Sequence, residues 1–336
     1  MNIQRIQMAH GSGGKMSHDL VKDIIWPAFA NDILGEMHDG AQFAIQGGRL
    51  AFSTDSYVVK PLFFPGGDIG KLAVCGTVND IAMNGALPLY LSVGFVLEEG
   101  FPLEELKRIL SSMQQAAKEA GVYIVTGDTK VVEKGAVDGI FINTAGIGKI
   151  IEGVSISGKN AKPGQDIILN GYLGEHALAV MSERHGLELP QSVSSDCAPL
   201  GDLVTSLLQA VPEIAVLRDP TRGGLATTLN EIAQQSQVGI MIEEKDIPVS
   251  LAVQAACDIL GFDPLYMANE GKVLVFVDKE YTPEVLRIMK AHKYGQEARV
   301  IGTVSEKPCE QVGLRTGIGG IRLLDMLTGE QLPRIC

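Results

Sequence analysis

Residues 53–88, STDSYVVKPLFFPGGDIGKLAVCGTVNDIAMNGALP, form the stretch whose reading decides the fold. Its first residues belong to RLAFSTDSYVV (49–59), where β-branched and aromatic side chains favour a strand. Its later part, IGKLAVCGTVNDIAMNGA (69–86), is mostly apolar and reads as a buried helix stopped by Gly85. Asp55 and Asp80 fall inside these two segments. An ionised carboxylate is costly to bury without a partner, so a strand and a buried helix that both carry acids point to a charged site within an α/β layer.

Working outward, LYLSVGFVLEE (89–99) reads as a strand, and PLEELKRILSSMQQAAKEAG (102–121) is the clearest helix in the chain. Leu103, Leu106, Leu110, Met113 and Ala117 share one face at three- and four-residue steps, with Pro102 suited to the first turn and Gly121 to the end. Two further strands follow at 122–132 and 139–150, and then IEGVSISGKNAKPGQ (151–165) has the composition of a connection between domains. The second half repeats the mixture. Strands are predicted in DIILNG, VGIMIEE, KVLVFVD and RVIGTVS, and helices in GEHALAVMSERHG, GGLATTLNEIAQQS and LAVQAACDILG. The fold class is therefore α/β (α+β), with domains over 1–155 and 156–322 and an extended tail over 323–336 that Pro333 keeps from being helical.

A chain of 336 residues suits two domains. A formal net charge of −12 argues against nucleic acid or an anionic membrane as the main partner, so polyphosphate would have to be held locally by amides, a few cations and a metal ion. The first residues lack the apolar core of a signal peptide, and no apolar run could cross a bilayer. The five cysteines are scattered with no C-x-x-C pair, which reads as a reduced, cytoplasmic protein without a zinc site.

Four stretches carry chemistry in the first half: HGSGGK (10–15), STDS (53–56), VNDIAMNGA (78–86) and TGDTK (126–130). Singly, Asp55, Asp80 or Asp128 is what a turn or a helix cap also uses. Together, beside glycines that open backbone donors to phosphate, they suit a nucleotide site with a shared Mg2+. HGSGGK lacks P-loop spacing; alone it is a flexible loop in which His10 could approach the site. The other five histidines lie in helical or linker contexts and read as surface residues. In the second half, DPTRGGL (219–225) reads as a helix start, with Gly223–Gly224 permitting close approach of another backbone. Arg222 suits phosphate or an acidic neighbour equally. Glu270, in the turn of ANEGKVLVF (268–276), either stabilises that turn or serves as a general base in a cleft. A terminal cysteine, Cys336 in QLPRIC, is either an accident of a frayed end or a thiol with work to do.

The stretch at 53–88 followed by TGDTKVV resembles the ATP-binding half of the aminoimidazole ribonucleotide synthetase (PurM-like) superfamily, which includes selenophosphate synthetase and thiamine monophosphate kinase. Within it, HGSGG, DPTRGG, ANEGK and the terminal PRIC resemble the carbamoyl dehydratases of NiFe-hydrogenase maturation, over essentially the whole chain. The resemblance implies ATP and Mg2+ as cofactors. It implies nucleotide contacts from Gly11, Gly13, Gly14, Asp55, Asn79, Asp80, Gly127, Asp128, Thr129 and Arg222, with Asp55, Asp80 and Asp128 at the metal. It implies that Cys336 carries a carbamoyl group received from the carbamoyltransferase HypF, that ATP activates it, and that the resulting cyano group passes to a HypC–HypD complex. Glu270 would be the base and Lys130 would position the carboxamide or neutralise charge. Paired N-terminal domains would form a homodimer, and the tail would lie inward with ATP bound and move otherwise. A superfamily enzyme acting on a free small molecule, or a nucleotide-switched scaffold, would need no reactive terminal cysteine.

Overall fold

The structure, a computed structural model, describes residues 14–20, 22–23, 36, 40–186, 193–329 and 335–336. After a short helix α1 (Lys15–Leu20) come β1 (Ala41–Ile45), β2 (Gly48–Tyr57), the two-residue strands β3 (Phe63–Phe64) and β4 (Gly67–Asp68), and the helix α2 (Ile69–Met83). Then follow β5 (Ala86–Glu98), α3 (Leu103–Ala120), β6 (Tyr123–Val132) and β7 (Ile140–Ile150). These strands make a five-stranded sheet in the order β1-β2-β7-β5-β6, antiparallel except for β5 and β6.

Asp68 starts α2 by accepting from the amides of Gly70 and Lys71 at 2.7 and 3.0 Å, which satisfies two of the donors every helix start leaves open. As predicted, α2 is buried almost throughout, from Ile69 to Met83. It lies between one face of the sheet, α3 and the second domain. The alternation of β2 turns Ala51, Ser53, Asp55 and Tyr57 toward that helix. The face of α3 differs from the sequence reading. Ile109, Met113, Ala116 and Ala117 are its buried residues, while Leu103 is 70% exposed and Leu110 is 42% exposed. Leu103 lies in the first turn, and Leu110 lines a cavity of about 890 Å³ against Phe95, Tyr123 and Ile124. Elsewhere on the sheet Phe52, Leu87, Tyr90, Val125 and Val131 are exposed.

The second unit contains β8 (Asp166–Leu169), α4 (Glu175–His185), α5 (Gly201–Ala210), β9 (Val216–Arg218), α6 (Gly224–Ser236), β10 (Gly239–Glu243), α7 (Leu251–Leu260), β11 (Leu274–Val277), α8 (Thr282–Ala291), β12 (Arg299–Ser305), β13 (Val312–Arg315) and β14 (Ile321–Leu324). Its seven-stranded sheet runs β14-β13-β10-β12-β8-β11-β9. The interior strand β11 is buried at every position, which is why LVFV shows no alternation. One apolar core lies on each side of this sheet, and one of them merges with the core around α2. The predicted tail boundary falls inside β14. Among the described residues, no helix is long and apolar enough to cross a membrane.

Candidate active site

Asn79, on α2, stitches the two units together. Its amide donates to the carbonyls of Ala198 (3.0 Å) and Glu270 (3.2 Å), and its oxygen accepts from Leu200 N (2.8 Å). A residue expected to meet the nucleotide thus has its side chain engaged in holding the turn that carries Glu270.

A second asparagine orders the other half of that turn. Asn269 donates to Pro220 O at 2.9 Å and accepts from Gly174 N at 2.8 Å, joining the 219–225 loop to the 268–271 turn. Gly223 is left-handed at φ 78°, and a Cβ on Gly224 would lie 2.7 Å from the carbonyl oxygens of Leu265 and Met267, so the close backbone approach expected of this pair is present. The helix begins at Gly224 rather than at Asp219, which is buried beside Glu270.

Glu270 is buried. Burial pushes its carboxyl well above the ordinary glutamate range, and Cys197, Asp196, Asp219 and Asp55 push it further. Arg222 leans across the cleft toward Asp55, with Nη2 3.8 Å from Oδ1. Between these groups lies the end of the chain. Ile335 is buried, Cys336 is half-buried, and the terminal oxygen of Cys336 accepts from Val58 N at 3.4 Å. Burial pushes the Cys336 thiol up to about 12; Arg222 opposes that rise, while Glu270 and Asp55 add to it. Asp55, Arg222, Glu270 and Cys336, drawn from four distant parts of the sequence, therefore share one cleft between the units.

The remaining expected residues fall elsewhere. Asp80 accepts from Ser53 Oγ at 2.7 Å, on the side of β2 that also carries Asp55. Asp128 and Lys130 pair with each other at 2.8 Å on β6, an edge strand exposed on both faces, and Thr129 is exposed between them. Within one chain, β6 lies three strands along the sheet from β2, so Asp128 and Lys130 stand apart from Asp55, Asp80 and the tail. Among the described residues no three His, Cys, Asp or Glu groups converge to hold a metal. Gly127 serves the sheet, since a Cβ there would lie 2.5 Å from Val93 O. Gly14, at φ 84°, packs so closely that a Cβ would lie 2.2 Å from Leu327 O, and Lys15 N donates to the same oxygen at 2.9 Å. The glycine-rich segment thus meets the base of the tail. His10, Gly11 and Gly13 lie outside the described residues.

Four polar residues that sequence reasoning passed over complete the site. The side chain of Asp196 is buried, pairs with Lys272 at 2.9 Å, and accepts from the amides of Glu270 and Gly271, each at 3.1 Å. Burial alone would raise its carboxyl, but Lys272, His176 and these hydrogen bonds outweigh it and hold Asp196 below its usual range. His176, read as a surface residue, is fully buried. Its Nε2 lies 2.7 Å from Ile335 O and its Nδ1 lies 2.8 Å from Ser195 Oγ. In sequence, SSDCAP offered only turn formers and GEHALAV only a helical segment.

Comparison with known proteins fits this arrangement. The N-terminal domain of AIR synthase related proteins matches residues 37–150, and the C-terminal domain of the same family matches 162–315. The carbamoyl dehydratase HypE of Cupriavidus necator is 54% identical over 100% of this chain and 97% of that protein. Among solved structures, HypE in a HypE–HypF complex superposes with a TM-score of 0.87 at 51% identity, covering 92% of this chain and 99% of that one. HypE in complex with ATP superposes with a TM-score of 0.84 at 50% identity, covering 99% and 100%. With both domains matched in order and the likeness to HypE running the full length, the chain belongs to the AIR synthase related family and, within it, to the HypE carbamoyl dehydratases.

Proposed function

We propose that this protein dehydrates a carboxamide carried on its own terminal cysteine, at the expense of ATP, and so supplies a cyano group for assembly of the NiFe-hydrogenase iron centre. The observation that carries the reading is the last residue itself. A thiol at the end of a polypeptide has been brought into the cleft between the units, beside a buried carboxyl and an arginine.

The carboxamide R–S–C(=O)–NH2 has a poor leaving group in its oxygen. Transfer of the γ-phosphoryl group to that oxygen, with loss of one N–H proton, gives R–S–C(–OPO3)=NH and ADP. Loss of the second N–H proton with departure of phosphate leaves R–S–C≡N. Two protons must therefore be taken up; in this reading Glu270 accepts the first and the departing phosphate carries away the second. The raised proton affinity of Glu270 makes it a stronger base than an ordinary glutamate. Arg222 supplies fixed positive charge where phosphoryl transfer concentrates negative charge. Mg2+ needs only one or two carboxylates when phosphate oxygens and waters complete its shell. Asp55 and Asp80, on one side of β2, fit that demand; the ion would neutralise phosphate charge. The known structure of HypE with ATP supports nucleotide binding here.

The docked thiol holds its proton too firmly to attack a carbamoyl donor, because thiolate is the nucleophile. Loading therefore takes place with the tail outside the cleft. From Leu327, held by Lys15 N and by Thr227 Oγ1 at 3.4 Å, the nine residues to Cys336 reach about 30 Å when extended. HypF, the partner in a known HypE complex, is the donor in this reading, and a HypC–HypD complex is the acceptor. The exposed apolar side chains of the first sheet and its bare edge β6 suit pairing with a second chain. Such a homodimer would give Asp128 and Lys130 a cleft to serve across the interface.

Incubating the protein with HypF, carbamoyl phosphate and ATP, then weighing the C-terminal peptide, tests the proposal. One carbamoyl group gained and one water then lost on Cys336 is the expected result. ATP consumption with an unchanged terminal peptide would overturn it.

A further inference from the structure

The peptide that precedes the reacting sulfur is held by a side chain to which the reaction assigns no role. Ile335 O can only accept, so His176 Nε2 carries the hydrogen in their 2.7 Å bond. Burial lowers the imidazole's proton affinity, so the ring is neutral and Nδ1 is the bare nitrogen. Ser195 Oγ, 2.8 Å away, must then donate to Nδ1. That hydroxyl is oriented in turn by Cys197 N, which donates to it at 3.1 Å. Every hydrogen in this relay has one place to go. Phe64 meets the ring edge-on at 5.4 Å and 87°, and Ser195 N donates to Pro65 O at 2.7 Å, so the relay is braced from the first unit.

Holding Ile335 O fixes the plane of the last peptide bond, and with it the Cα of Cys336. Val58 N holds the oxygen on the far side. Only the side-chain torsion of Cys336 is left to aim the sulfur. The residue between Ser195 and Cys197 is Asp196, whose carboxylate accepts from the amides of Glu270 and Gly271. One short piece of backbone therefore grips the tail through its first residue and the turn of the base through its second.

Resting on the dehydratase reading above, we propose that His176 is a positioning residue for the reacting tail. Locked in one tautomer by Ser195, it sets the Cys336 sulfur in register with Glu270 through the shared 195–197 segment.

The test uses the full-length protein. Alkylation of Cys336 by iodoacetamide is followed on the C-terminal peptide by mass, alongside ATP affinity and single-turnover dehydration of the carbamoylated protein. Loosening the tail frees a thiol that burial keeps protonated, so alkylation is a sensitive reporter of docking. His176→Leu is expected to speed alkylation about tenfold and slow dehydration about tenfold, the weight of one lost hydrogen bond, while ATP affinity stays within about twofold. His176→Gln, whose amide can still donate to Ile335 O, is expected to recover most of both. Ser195→Ala, which leaves the ring in place but frees its tautomer, should move both rates the same way by about threefold; it decides the matter if His176→Leu does not fold. Folded His176→Leu protein with unchanged alkylation and dehydration would overturn the proposal, as would a glutamine variant as impaired as the leucine one. If the unaltered protein is carbamoylated but never loses water, the dehydratase reading fails by itself, while the alkylation series still reports whether His176 holds the tail.

Discussion

Replacing Asn79 by alanine separates two roles for a residue expected in the nucleotide site and found joining the two units. The substitution strands Ala198 O and Leu200 N in a buried place, because each loses the partner that Asn79 provided at 3.0 and 2.8 Å. Glu270 O keeps one donor, Ala198 N at 3.4 Å. Two stranded groups at about 1–3 kcal/mol each put the cost at about 3–4 kcal/mol. In a chain of this size that lowers the unfolding midpoint by on the order of 5 °C. Scanning calorimetry with urea titration measures it, and ATP titration of the folded variant measures nucleotide affinity separately. Asn79→Asp sharpens the test. The introduced carboxylate still accepts from Leu200 N but faces two carbonyl oxygens, so its destabilisation should ease as the pH falls and it gains a proton. Asn79→Ala protein that unfolds within about 1 kcal/mol of the unaltered chain, yet binds ATP tenfold more weakly, would refute the reasoning and return Asn79 to the nucleotide.

Glu270→Gln is expected to leave carbamoylation of Cys336 intact and to abolish dehydration, read on the terminal peptide by mass. In the unaltered protein the dehydration rate should rise with pH as Glu270 ionises, with a midpoint above the ordinary 4.5 because burial raises it; a midpoint at or below that value would count against Glu270 as the base. Asp196 is held below its ordinary 3.8, so its contribution to stability is complete above that pH and is lost as the pH falls further. Asp196→Asn should cost about 3 kcal/mol at neutral pH by leaving Lys272 without its nearer partner, a loss that denaturant titration at pH 7 and again at pH 3 would show shrinking. Gly14→Ala forces a left-handed backbone and a contact with Leu327 O, so it should raise hydrogen exchange across the tail base without changing that of β11.

Much of the architecture was legible because its signals are local. The mostly apolar run of 69–83 and the amphipathic run of 103–120 describe helices whatever surrounds them. Short elements were not. The helix GDLVTSLLQA and strands β9, β13 and β14 gain their stability from neighbours rather than from pattern. The same division runs through the site. Asp55, Arg222, Glu270 and Cys336 stand in stretches whose composition is odd enough to notice, and they do share a cleft. Asp128 and Lys130 stand in an equally noticeable stretch but on an edge strand, a fact about sheet order that no residue in TGDTK encodes. His176 and Asp196 were invisible for the opposite reason. Each is an ordinary residue in an ordinary segment, and what distinguishes it is a distant partner, Ile335 O for one and Lys272 for the other.

On the proposed reading, burial of the terminal thiol, which pushes its pKa up to about 12, turns the hold on the tail into a throttle on supply. A carrier that can be charged only when unsheltered accepts cargo in proportion to the time it spends unsheltered. Each further 1.4 kcal/mol of grip cuts that time about tenfold. Tighter anchoring would improve the aim of the chemistry and starve it of substrate, so the most productive chain is one whose last two residues are held firmly enough to aim and weakly enough to leave.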